Sequence, residues 1–203
     1  MKLRYSQTSP YVRKVLMVAI EAGLYDRIEL LPTDVWAPDS PIQRDNPLSK
    51  IPCLITEDGL ALFDSPVICE YLAHLGGDAR LYPGPGPARW VALRQQALAD
   101  GICDAAVLRR LESLRPASLR SADWDRRQHH AVTRALHRLE EEAGQLPPPE
   151  APTIGGVAIA CALAYLDFRF RDECWRKGHG ALSRWFDHMA ERDSFKRTMP
   201  PME

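Results

Sequence analysis

The chain has 203 residues, 45% of them hydrophobic, and a formal net charge of −1. That length allows more than one folded unit and a core of ordinary size, and the composition is not that of a disordered chain. A near-neutral charge excludes the broad basic field that nucleic acid or an anionic membrane surface demands.

Leu3 to Tyr5 read as a short strand. Ser9-Pro10 then opens a helix, with serine as N-cap and proline at the first helical position. Val12, Val15, Leu16, Ala19 and Ile20 follow at helical spacing, and Gly23 closes the helix. Ile28 to Leu31 supply a second strand, which a βαβ crossover makes parallel to the first. Pro38, Pro41 and Pro47 predict irregular chain. Cys53-Leu54-Ile55 and Leu60 to Phe63 flank Glu57-Asp58-Gly59 as a hairpin. Ser65-Pro66 repeats the cap logic of Ser9-Pro10, and Gly76-Gly77 ends that helix.

Composition shifts after this point. Tyr82 to Pro87 alternate proline and glycine as a linker, and no convincing strand follows. Residues 88–115 and 122–144 read as long amphipathic helices, 153–170 as a strongly apolar one, and 181–191 and 194–198 as shorter ones. The pattern predicts an α/β domain over 1–77, a linker over 78–87 and an all-α domain over 88–203. Arginines cluster between Arg109 and Arg127, but Glu112, Asp123 and Asp125 dilute them into a solvated helix face.

The five cysteines form no CxxC pair and suit neither zinc nor a disulfide framework. Cys69, Cys103 and Cys161 fall in apolar helical stretches, where a thiol behaves as a small hydrophobe. That usage fits a reducing compartment. With no apolar signal region after Met1 and no run of membrane-spanning length, the expectation is a cytoplasmic protein. The adjacent His129 and His130 lie on a polar helix without a third ligand, so no metal is assigned.

Four segments, in order, resemble the cytosolic glutathione transferases, and the likeness covers nearly the whole chain. They are Ser9-Pro10-Tyr11-Val12-Arg13-Lys14-Val15, Asn46-Pro47-Leu48-Ser49-Lys50-Ile51-Pro52-Cys53-Leu54, Phe63-Asp64-Ser65-Pro66-Val67-Ile68-Cys69-Glu70-Tyr71-Leu72 and, more weakly, Ala164-Tyr165-Leu166-Asp167-Phe168-Arg169. The last looks like bacterial members. The resemblance implies a thioredoxin-like first domain, an all-α second domain, glutathione as co-substrate and a homodimer. It also implies a detoxifying transferase reaction with a small hydrophobic electrophile.

Glutathione presents an ammonium, two carboxylates and a thiol. Ser65 at a helix start offers a hydroxyl and backbone N–H groups to a carboxylate, and Asp64 can accept from the ammonium. The plainer reading makes Ser65 a cap and Asp64 a surface acid. Ile51-Pro52 matches the family's cis-proline position, which implies that the Ile51 backbone pairs with the cysteinyl part of glutathione as an added strand would. Lys50 is either a partner for the glycine carboxylate or a solvated loop lysine. Ser9 is the catalytic candidate, four residues before Arg13, where serine-type members place the hydroxyl that activates the thiol. An ordinary N-cap would compete for the same oxygen, and Tyr5, Ser6 and Thr8 are fallback donors.

Arg13 and Lys14 read as structural or solvated rather than as ligands. The electrophile pocket is expected between the domains, lined by Tyr11, Trp36, Asp104, Leu108 and Tyr165, although the plainer reading of the aromatic residues there is core. The family usually has an Asp three residues after the cap Thr153, completing a capping box. Here Gly156 stands there, and replacing it by Asp is expected to stabilise the fold. Three alternatives stay open: a binding or regulatory protein without turnover, an isomerase using the same thiolate, and a reductase. The last would need a cysteine where Ser9 stands.

Overall fold

In the computed structural model, which describes residues 1–201, β1 (Lys2–Tyr5) leads into α1 (Pro10–Glu21). Pro10 occupies the first turn, and the Ser9 hydroxyl accepts the Val12 N–H at 3.3 Å, satisfying one donor that a helix start leaves unpaired. Gly23, at φ +69°, turns the chain out of the helix. β2 (Glu29–Pro32) runs parallel to β1 with Leu3 opposite Leu30.

A helical turn, α2 (Ile42–Asp45), stands where the prolines predicted irregular chain. Tertiary contacts hold it: Ile42 is fully buried, and Arg4 of β1 donates from Nε to the Asp45 carboxylate at 2.7 Å. β3 (Cys53–Ile55) and β4 (Ala61–Leu62) form the expected hairpin, giving the sheet order β2-β1-β3-β4. β3 is antiparallel to both β1 and β4. The paired Leu3 and Leu54 are fully buried. α3 (Ser65–Leu75) packs against α1 and β3.

The start of α3 departs from the sequence reading by one residue. Asp64 is the N-cap, with extended backbone, and Ser65 is the first helical residue. The first intrahelical bond runs from the Ile68 N–H to the Asp64 C=O, which fixes this register.

Unit 2 contains α4 (Pro87–Leu114), α5 (Ala122–Glu141), α6 (Ile154–Arg169) and α7 (Gly180–Ala190). α6 is buried on every side from Ile154 to Leu166, as its continuous apolar sequence requires. α4 and α7 pack against it. The Glu140 carboxylate accepts the Ala181 and Leu182 N–H groups at 2.9 and 2.8 Å, capping α7 from α5.

Thr153 precedes α6, but its hydroxyl makes no cap bond and is buried without a partner. A Cβ on Gly156 would lie 2.8 Å from Cγ of Pro147. Close packing therefore accounts for glycine at this position, and the expected gain from an Asp there is corrected.

Among the described residues, the two compact units are 1–86 joined by 193–201, and Pro87–Arg192. The sequence pattern predicts the whole of 88–203 as the second domain. The final helix, α8 (Asp193–Arg197), belongs instead with the first unit because it packs on α1. Among the described residues, no helix is long and apolar enough to cross a membrane.

Candidate functional site

Strand directions bring the sequence-predicted residues of unit 1 to one end of the sheet. β1 runs toward Ser9, and β3 is antiparallel to it, so the segment entering β3, Lys50-Ile51-Pro52, arrives beside the exit of β1, where Arg4 pairs with Cys53. β4 is antiparallel to β3, with Leu54 opposite Leu62, so Phe63-Asp64-Ser65 leaves at that same end. The loop after β2 begins there too, the Thr33 N–H donating to the Tyr5 C=O at 3.0 Å. The starts of α1 and α3 face this end, each with first-turn N–H groups that no intrahelical acceptor can reach.

Ser9 is half-buried. Its oxygen accepts the long bond from Val12 N–H through a lone pair, which leaves the hydroxyl proton available for donation. Capping and thiolate activation therefore do not compete as the sequence reading supposed. The fallback donors Ser6 and Thr8 have their hydroxyl oxygens 3.4 Å apart.

The Ile51–Pro52 peptide is cis, as the resemblance implied, and Phe63–Asp64 is a second cis bond. Neither the N–H nor the C=O of the half-buried Ile51 meets a partner among the described residues. Lys50 is exposed. Asp64 is exposed and makes no side-chain cap bond, so its carboxylate is not consumed by the helix it precedes. Ser65 is buried in the first turn of α3. Two backbone groups of one residue, a carboxylate and a helix start thus lie at one sheet end with a hydroxyl. Together they suit an extended ligand bearing charges of both signs.

Burial and the nearby Asp45 carboxylate push the Cys53 thiol up to about 11, against a smaller lowering from Arg4. It stays protonated at neutral pH and is no candidate nucleophile. Cys69, Cys103 and Cys161 are likewise buried free thiols, and Cys174 is exposed. Arg13 and Lys14 are both buried within unit 1.

The five residues expected to line an electrophile pocket fall in separate units. Tyr11 is half-buried on α1, and Trp36 is 76% exposed in the loop after β2. On α4, Asp104 and Leu108 are exposed one turn apart, and Tyr165 is buried on α6. Burial raises the Tyr165 phenol above its ordinary value, opposed by Arg169. Among the described residues, no three His, Cys, Asp or Glu side chains are placed to hold a metal ion.

In the sequence, Asn46 stands within the Asn46 to Leu54 segment with no chemistry of its own to mark it. The structure buries it and bonds its side chain into the loop that delivers Ile51. An Asn-Pro pair before a second proline was the available signal.

Residues 8–75 match the family described as the glutathione S-transferase N-terminal domain. The chain is 37% identical over 207 residues to the uncharacterized GST-like protein YibF of Escherichia coli (strain K12), covering 99% of either chain. A glutathione transferase family member from Pseudomonas fluorescens Pf-5, solved with bound glutathione, is 39% identical over 98% of both chains, with a TM-score of 0.91. A glutathione S-transferase from Methylobacillus flagellatus KT, solved with GSH bound, is 37% identical over 98% of this chain and 99% of that one, with a TM-score of 0.92.

Proposed function

Because this chain belongs to the glutathione S-transferase family, we propose that it binds glutathione at the sheet end of unit 1 and activates its thiol for attack on a small hydrophobic electrophile. What carries this reading is the convergence of Ser9, Ile51, Asp64 and Ser65 on that end. Ile51 pairs with the cysteinyl main chain, Asp64 takes the ammonium, and the α3 start with Ser65 takes the neighbouring carboxylate. Lys50 reaches the glycine carboxylate.

The Ser9 hydroxyl then donates to the thiolate. A hydrogen bond to a charged group contributes about 1.5–3 kcal/mol, or one to two pKa units at about 1.36 kcal/mol each. From a thiol near 8.5, a drop of about two units raises the thiolate fraction at pH 7 from about 3% to about three quarters. A reductase reading has less support, since serine stands at the first helix and Cys53 is buried and protonated.

The assembly proposed is a C₂ homodimer in the cytoplasm, pairing the first unit of one subunit with α4 and α5 of the other. Val67 and Leu75 on α3 and Trp90 and Val91 on α4 are exposed apolar side chains that such an interface would cover. Sedimentation at tens of micromolar, roughly where a standard interface fills, should give twice the chain mass.

Calorimetry with glutathione, beside conjugation assays on a panel of electrophiles, tests the main reading. Binding in the micromolar to millimolar range is expected, with stabilisation of about 2.7 kcal/mol at about 100 times the dissociation constant. No heat of binding up to about 10 mM, weaker than a useful co-substrate affinity, would remove it. Binding without turnover on any electrophile would leave a glutathione-binding protein instead.

A further inference from the structure

Asn46 follows α2 and is 1% exposed, yet every polar group it owns is engaged. Its N–H donates to the Ile42 C=O at 2.7 Å, and its C=O accepts the Ser49 N–H at 2.9 Å. Its side-chain oxygen accepts the Leu48 N–H at 3.0 Å, and its amide nitrogen donates to the Lys50 C=O at 2.8 Å. Only this orientation of the amide makes both side-chain bonds, because a carbonyl needs a donor and an N–H needs an acceptor.

The bond to Lys50 has a consequence one residue later. The Lys50–Ile51 peptide is not among the cis bonds, so its plane is rigid and its C=O and N–H point in opposite directions. Drawing the Lys50 carbonyl toward a buried amide turns the Ile51 N–H away from it. That N–H has no partner among the described residues. Resting on the glutathione reading above, we infer that Asn46 is a positioning residue: through the Lys50–Ile51 plane it aims the Ile51 N–H at the cysteinyl carbonyl of glutathione. The other contacts of Asn46 keep the loop closed behind that peptide, including Ser49, which sits at φ +52°.

A thermodynamic cycle between protein and ligand separates this role from a merely structural one. The ligands are S-methylglutathione and its depsipeptide counterpart, in which an ester replaces the cysteinyl–glycine amide and weakens that carbonyl as an acceptor. The proteins are the wild type and Asn46→Asp, which is nearly isosteric, keeps the acceptor for Leu48 and loses the donor to Lys50. In the wild type the ester should weaken binding about three- to tenfold, the range of one neutral hydrogen bond. In Asn46→Asp the amide ligand should already bind that much more weakly, and the ester should change its affinity by less than about twofold.

An equal ester effect in both proteins overturns the inference, as does a wild type indifferent to the ester. An Asn46→Asp chain that does not fold assigns the residue to the fold and overturns it too. A wild type that binds neither ligand removes the glutathione reading itself, an outcome distinct from binding with additive effects.

Discussion

Arg13 holds its guanidinium carbon 4.1 Å from the centroid of the Phe195 ring and donates from Nη2 to the Phe195 carbonyl at 3.1 Å. Its Nε donates to the Thr198 hydroxyl at 3.4 Å. Further along α1, the Glu21 carboxylate accepts the Ser194 hydroxyl at 2.5 Å, so α8 is fastened near both ends of the helix that begins at Ser9. Arg13→Met keeps the stem of the side chain but removes the charged donor to the Phe195 carbonyl, which keeps only the Thr198 N–H and hydroxyl. A loss of about 1–3 kcal/mol is expected, read as a lower urea midpoint at unchanged slope. Combined with Phe195→Leu, the two changes should be non-additive by about 0.5–2 kcal/mol. Strict additivity would show that the contact carries no coupling.

Ser9→Ala should lower conjugation by about 10- to 100-fold with little change in glutathione affinity, since the hydroxyl acts on the thiolate. The pH profile of kcat/KM should move upward by about one to two units, the amount the lost hydrogen bond supplied. A small loss of stability accompanies it, near the low end of about 0.5–2 kcal/mol, because the cap bond to Val12 is long at 3.3 Å. Asp64→Ala should act the other way, weakening binding rather than the chemical step. Full conjugation rates for Ser9→Ala with an electrophile limited by chemistry would transfer the role to Tyr5 or Ser6.

In unit 2, Arg109 is nearly buried and donates to both Glu173 oxygens, at 2.9 and 2.6 Å, and to Asp125 at 3.0 Å. The Arg109 hydrogen bonds hold the Glu173 carboxyl below its ordinary value of 4.5, against partial burial, with a further contribution from His129. A carboxylate depressed in the folded state contributes stability fully above its unfolded value, and this is lost as pH falls through the folded one. The wild type should therefore lose this contribution progressively below about pH 4.5. Glu173→Gln should be less stable at pH 7 and show a flatter acid limb. Solvent reaches the Glu173 side chain, so the difference is expected at about 1 kcal/mol. Urea midpoints from pH 7 down to pH 3 measure it, and parallel acid limbs would show that Glu173 is not the responsible group.

The elements with strong local signals were legible before any coordinates. Ser9-Pro10 started α1, the Glu57 to Gly59 turn made the hairpin, and the unbroken apolar run of 154–166 announced a buried helix. The single turn α2 had no such signal, because Arg4 and burial of Ile42 stabilise it from outside. The same holds for α8, whose place depends on Arg13, a residue that local patterning treats as one more surface cation. The candidate ligands were legible through the motifs that resemble the family, since by residue type alone Ser65 reads equally as a cap, Asp64 as a surface acid and Lys50 as a solvated lysine. Asn46 was not, since its work is done through a carbonyl that belongs to its neighbour.

Glycines on α4 and α6 give the sharpest contrast between local propensity and packing. By propensity alone each helical Gly→Ala change stabilises by about 0.8–1 kcal/mol, and less near a helix end. Gly101 on α4 is exposed, and a Cβ there meets nothing within 4 Å, so Gly101→Ala should stabilise by about that amount, read as a higher urea midpoint. At Gly156 the new carbon would sit 2.8 Å from Pro147, a ring that cannot rotate aside, and Gly156→Ala should cost about 1–3 kcal/mol of stability, read as a lower midpoint. Gly156→Asp should fall further still, because Thr153 makes no cap bond for a box carboxylate to complete. Gly155→Ala should be the most damaging of the alanine variants. Its carbon would approach Cβ of Gln95 to 2.6 Å and the Ala92 carbonyl to 2.8 Å, so the backbones of α4 and α6 would have to separate. A midpoint for Gly155→Ala or Gly156→Ala equal to that of Gly101→Ala would mean that α6 can shift without loss, and the close-packing account of both glycines would fail.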